Sequence, residues 1–273
     1  MNIDDVQFAQ TATWPLADVV ARLSQHPHVE GILQIGSLTT DTFNPASDYD
    51  LVIVLAEAPQ PWYVGVTSID SRSTDLLFVA RSALASIATL AEPLAIDHVL
   101  TPIVRWFLHG QILFDRSQLL ARAHHHLITG DWIVALPDTA LFGAWFALNY
   151  NLAQARRLLQ ATDPLYQATV DIWMALHGHQ DVWWSYFTLR RLMEAGEKQA
   201  IRYLQAQDPT FLTLYQHFIT ETNRARKFEL YEQAAAYVVA PVGKLWTMNT
   251  TAMNVPDTVQ LWNQLLAADS GLM

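Results

Sequence analysis

The chain has 273 residues, a formal charge of −10 and 51% apolar residues. That length suits one large or two ordinary domains with ample material for a core. The acidic balance disfavours a broad nucleic-acid surface, which needs a basic stripe, and suits a cationic small substrate. There are no cysteines, which excludes disulfides, thiolate zinc and a cysteine nucleophile. No uncharged apolar run approaches the ~18 residues of a membrane span. The N-terminal MNIDDVQFAQ lacks a basic-plus-apolar signal, so a cytoplasmic protein is expected.

In chain order, residues 15–24 carry apolar side chains at helical spacing, with Pro15 at the first turn. His26 and His28 follow in a connection and read as surface residues. Residues 32–35 form a short apolar run ending in Gly36-Ser37. Ten residues later, Asp48-Tyr49-Asp50 leads into a second apolar run, residues 51–55. Both runs read as buried strands. Thr39, Thr40, Asp41, Asn44, Pro45, Ser47 and Asp48 mark the loop between them.

This stretch has chemical content. Asp48 and Asp50 are two apart, so on an extended strand both carboxylates face the same way. Such a pair repels itself unless a cation intervenes, and hard oxygen ligands suit Mg²⁺ held together with substrate phosphates. Gly36 lets the backbone approach a ligand closely. Ser37 supplies a hydroxyl and an N–H for phosphate oxygens.

Residues 62–69 read as another strand and residues 70–74 as a turn. Asp75 then opens a further apolar strand. Residues 82–90 read as a helix with Ser82 as its cap. Pro102 interrupts residues 96–107 and leaves them ambiguous. A glycine turn at Gly110 leads into a strand ending at Asp115, a turn or cap residue. Residues 116–127 are helical and carry His124, His125 and His126. Three consecutive helical residues point in three directions and cannot share one metal.

The domain boundary falls within residues 130–137, giving domains 1–130 and 131–273. The second half reads as a helical bundle: residues 141–161, 164–177, 182–195, 197–206, 209–222 and 224–237, with a last helix from Pro256 to Ala267. Gly178 and Gly196 read as stop signals. Its many aromatics, among them Trp145, Trp183, Trp184, Tyr186 and Tyr231, read mainly as core. Two acid–tryptophan neighbours, Asp171 with Trp173 and Asp181 with Trp183-Trp184, suit an amine-bearing sugar ring. The basic residues Arg190, Arg191, Lys198, Arg224, Arg226, Lys227 and Lys244 are the candidates for a triphosphate clamp.

The Gly36-Ser37 … Asp48-x-Asp50 stretch resembles the nucleotidyltransferase superfamily that includes DNA polymerase beta, kanamycin nucleotidyltransferase and the lincosamide and streptomycin adenylyltransferases. Gly36, Ser37, Asp48 and Asp50 match the shared signature one for one. Thr39-Thr40-Asp41 stands where many smaller members carry Arg-Gly. The resemblance implies an α+β fold: an N-terminal nucleotidyltransferase mixed sheet with flanking helices, followed by an all-α bundle. It implies transfer of a nucleoside monophosphate from ATP or another NTP to an acceptor hydroxyl, with release of pyrophosphate.

It also assigns roles. Asp48 and Asp50 are expected to bridge two Mg²⁺ ions. Asp75 matches the superfamily's third carboxylate, Asp70 being its near rival. Gly36 and Ser37 would hold phosphates. The helical domain would supply the pocket for a small hydroxylated acceptor, as in the antibiotic-modifying members; the acid–tryptophan neighbours make Asp171, Trp173 and Asp181 the candidates there. Two other classes stay open: an antitoxin-like enzyme nucleotidylating a protein or RNA partner, and a non-catalytic nucleotide-binding module. The signature of the RNase that accompanies such antitoxins, Arg followed four to six residues later by His, is absent from residues 139–273.

Overall fold

A computed structural model describes residues 14–36, 47–96, 98–193, 196–247, 250–255, 259–260 and 263–264. Ser37, residues 38–46 and most of the expected last helix, Pro256 to Ala267, lie outside the described residues. The protein is α+β, and the chain divides into two compact units, residues 1–135 and 136–273. No helix among the described residues is long and apolar enough to cross a membrane.

The first unit is built on a five-stranded mixed sheet. Helix α1 (Leu16–Gln25) leads into β1 (Val29–Ile35), whose residues are nearly all buried because other strands flank it on both sides. β2 (Tyr49–Leu55) runs antiparallel to β1. β3 (Trp62–Ile69) and β4 (Arg72–Ala80) form a hairpin, and β4 inserts parallel to β2. β5 (Gln111–Asp115) closes the far edge, giving the order β3-β4-β2-β1-β5.

The β3–β4 turn is tighter than the sequence suggested. Ile69 pairs with Arg72, so the loop is only Asp70 and Ser71, with φ of 51° and 61°. Two left-handed central residues make the turn whose twist matches a two-residue hairpin. β4 therefore begins at Arg72, and Asp75 lies inside the strand instead of opening it.

One sheet face packs on α2 (Arg81–Ile87), α3 (Thr101–His109) and α4 (Leu119–Leu127), with Val52, Val54, Leu84, Ile103, Phe107 and Leu120 fully buried. α2 starts directly from β4, without a Ser82 cap. Pro102 sits in the first turn of α3, where its missing N–H leaves no bond unmade; the apparent interruption is a helix start. The other face buries Ile32, Ile53, Tyr49, Leu51 and Ile69 against α1.

The second unit is helical: α5 (Asp138–Leu159), α6 (Pro164–Trp173), α7 (His179–Leu189), α8 (Glu197–Gln207), α9 (Pro209–Thr220) and α10 (Arg224–Val239). Side chains cap three of the helix starts: Asp163 accepts from Leu165 N, Asp208 from Phe211 N and Asn223 from Arg226 N. Gly178 is not a stop. A π-helical turn, Met174–Gly178, joins α6 directly to α7. A Cβ at Gly178 would sit 3.0 Å from the Phe218 ring and 3.4 Å from Tyr231, so glycine here admits two rings instead of ending a helix. Trp183, Tyr186, Phe211, Phe218 and Tyr231 belong to the core of this unit, while Trp184 is exposed.

Candidate active site

Strand register assembles the site. Asp50 pairs with Ile35 of β1 on one side and with Asp75 of β4 on the other. Directly paired residues share a sheet face, so the two carboxylates stand side by side. Further along the same face, Val52, Val54 and Val79 are completely buried under the helices. Asp50 and Asp75 are only half-buried. They occupy the end of the face, where the apolar core stops. Asp48, also half-buried, stands two residues before Asp50 and one before the strand.

Gly36 ends β1 beside this row. Its φ is 77°, and a Cβ built on it would collide with Asp50 Oδ2. Any other residue would both strain the backbone and displace the carboxylate. Ser37, its expected partner in phosphate binding, lies outside the described residues.

The segment bearing the acids is clamped from the hairpin turn. Tyr49 alternates with Asp48 and Asp50, so its ring goes to the opposite, α1 face. Its hydroxyl donates to Asp70 Oδ2 at 3.1 Å, and the same oxygen accepts from Leu16 N at 3.2 Å. Arg72 Nη1 donates to Ser47 O at 3.0 Å, and the guanidinium lies 5.8 Å from the centroid of the Tyr49 ring. Burial, and then the bond to Asp70, pushes the Tyr49 hydroxyl above its ordinary pKa. Asp70, the rival third carboxylate, is thus occupied holding β2 and α1 to the turn. Sequence reasoning missed Tyr49 and Arg72; alternation along β2 and closeness to the turn were the only available signals.

Among the described residues, no group of three or more His, Asp or Glu side chains stands gathered to hold a metal ion. The donor chemistry nevertheless fits Mg²⁺. That ion is usually bound by one or two carboxylates, with phosphates and water completing its shell, and not by an all-protein cage. Asp50 and Asp75, paired in register, are two carboxylates of the kind that would hold it.

The expected acceptor residues of the helical unit serve as helix ties. Both oxygens of Asp171 accept from Arg224 at 2.6 Å, and this bond is the main reason its pKa is lowered. Trp173 Nε1 donates to Asn151 O at 3.0 Å. Asp181 accepts from Asn151 Nδ2, linking α7 to α5, and burial raises its pKa. Among the clamp candidates, Arg190 donates to carbonyls of Tyr186, Tyr237 and Val238 and covers the Tyr186 ring at 4.0 Å. Arg191 pairs with Asp138, and Arg226 with Glu229. In the first unit, His126 Nε2 bonds Leu90 O and its ring packs on Trp132.

No protein-family model matches the chain, and no curated protein matches it. Among solved structures, it is similar to a nucleotidyltransferase-like protein from Exiguobacterium sibiricum 255-15. That likeness has 14% sequence identity and a TM-score of 0.39, over 93% of this chain and 87% of the other.

Proposed function

We propose that the sheet unit is a nucleotidyl-transfer domain that moves a nucleoside monophosphate, AMP from ATP, to a hydroxyl of a small acceptor, in the manner of the antibiotic adenylyltransferases. The observation that carries this reading is the register of Asp50 with Asp75 beside a glycine that must be glycine. Asp48 and Asp50 would hold two Mg²⁺ ions shared with the triphosphate, and Asp75 one of them. When bound, these ions neutralise charge on the attacking and leaving oxygens.

The chain's own residues bind and orient. Gly36 and Ser37 receive the outer phosphates. Asp75 lies at the acceptor end of the row, where it orients the hydroxyl and takes its proton. The new bond joins the acceptor oxygen to the α-phosphorus; the bond to pyrophosphate breaks. Catalysis of this kind is mostly positioning and charge neutralisation.

The test is pyrophosphate release from ATP with Mg²⁺ across a panel of aminoglycosides, lincosamides and simple amino sugars. Release with one of them supports the reading. Release only with a protein or RNA acceptor shifts it to an antitoxin-like enzyme. Nucleotide binding without turnover on any acceptor leaves a binding module.

A further inference from the structure

The carboxylate row continues past Asp75. Val66 of β3 pairs with Asp75 on the side away from Asp50, and Val64 pairs with Leu77. Paired residues share a face, so the order across this face is Ile35, Asp50, Asp75, Val66. Val66 is 71% exposed and Val64 is 53% exposed, whereas Val52, Val54 and Val79 of the same face are at 0%. Two neighbouring valines thus stand bare on an edge strand, immediately beside a half-buried carboxylate. Edge strands ordinarily carry charge at such positions to discourage pairing with other chains.

The two ends of the row differ in chemistry. At the β1 end, Gly36 opens the backbone beside Asp50, which suits phosphate. At the β3 end, the surface beside Asp75 is apolar, which does not. We infer that Val64 and Val66 are specificity-determining residues, the floor of the acceptor site: the acceptor lays the apolar face of a hydroxylated ring on them and presents its hydroxyl to Asp75. This rests on the nucleotidyl-transfer reading above and deepens it to the acceptor's shape. Aminocyclitols and amino sugars fit, having a ring face of C–H groups and hydroxyls at the edge; with acids close by, a cationic ring is preferred to an anionic one.

The experiment uses the full chain labelled with ¹³C at valine methyls, saturated with Mg²⁺ and a non-hydrolysable ATP analogue, and titrated separately with kanamycin, lincomycin and glucosamine. The expected result is that at least one of the three shifts the Val64 and Val66 methyl resonances. The double variant Val64→Thr, Val66→Thr keeps shape and strand propensity but removes the apolar floor. It should weaken that compound's binding about tenfold, a loss of roughly 1.4 kcal/mol, with affinity for the Mg²⁺–nucleotide unchanged. The proposal is overturned if none of the three moves either valine, if the double variant binds all three as tightly as the parent, or if Val64→Lys, Val66→Lys converts a dimer to a monomer, which would make the patch a contact between copies. Failure of the Mg²⁺–nucleotide to bind at all would instead overturn the underlying reading.

Discussion

The carboxylate of Asp50 fills the space that a side chain at residue 36 would need. A Cβ on Gly36 would collide with Asp50 Oδ2, and the φ of 77° excludes most L-residues independently. The end of β1 and the start of β2 are therefore fitted to each other at one atom. Gly36→Ala should destabilise the protein by about 1–2 kcal/mol from the left-handed backbone alone. It should also displace the Asp50 carboxylate from its place beside residue 36 and lower transfer at least about tenfold, a loss of roughly 1.4 kcal/mol in transition-state binding. Urea melts and pyrophosphate release read the two effects separately.

Asp50 and Asp75 form a like-charged pair directly opposite each other in the ladder. Like charges directly opposite each other destabilise a sheet. Asp50→Asn should accordingly hold or raise the melting temperature without Mg²⁺ while transfer is lost. Asp48→Asn should also abolish transfer with the fold intact. Calorimetry with and without the metal separates these outcomes from simple misfolding.

The Tyr49–Asp70 bond ties the acid-bearing segment to the hairpin turn. Tyr49→Phe leaves the ring in place and removes a donor to a carboxylate, a loss of about 1.5–3 kcal/mol. Because the folded state raises this hydroxyl's pKa, the protonated form is favoured on folding. Its contribution is complete below the ordinary tyrosine pKa and disappears as pH rises through the raised value. The variant should lose the corresponding alkaline part of the stability profile. Its kcat should fall more than its KM for ATP changes, since the bond orients Asp48 and Asp50 without touching substrate.

His179 in the helical unit is held neutral: burial, with a contribution from the Lys227 charge, pulls its pKa down to about 4. The unfolded chain binds this proton near pH 6.5 and the folded chain does not, so stability falls as pH drops from about 6.5 to 4. At a half-buried site the effect is about 1–2 kcal/mol after allowance for screening. His179→Phe should flatten that limb, as read by denaturant melts across the interval.

The local parts of the site were legible because they are local. A strand, Gly36, and acids at Asp48 and Asp50 opening a second strand all fall within one short stretch. Asp75 was legible as a residue but not as the register partner of Asp50, because parallel pairing of β2 with β4 depends on where the hairpin folds back. The role of Asp70 was hidden for the same reason: its partners, Leu16 and Tyr49, are 54 and 21 residues away. In the helical unit, the acid–tryptophan neighbours gave no sign of the pairing of Asp171 with Arg224, 53 residues later. Gly178 misled because a glycine that admits two rings looks, in sequence, like a glycine that ends a helix.

The central claim is that the row Asp48, Asp50, Asp75 receives a nucleoside triphosphate with its metal. The most direct measurement is the melting temperature of the parent chain and of an Asp48→Asn, Asp50→Asn double variant over a titration of ATP with Mg²⁺. A ligand that binds only the folded state adds RT ln(1 + [L]/Kd), about 2.7 kcal/mol at a hundredfold excess over Kd. The account predicts a concentration-dependent rise in the parent that requires the divalent ion and is lost in the double variant. No rise in the parent with any NTP and Mg²⁺ or Mn²⁺, or an equal rise in both proteins, would contradict it.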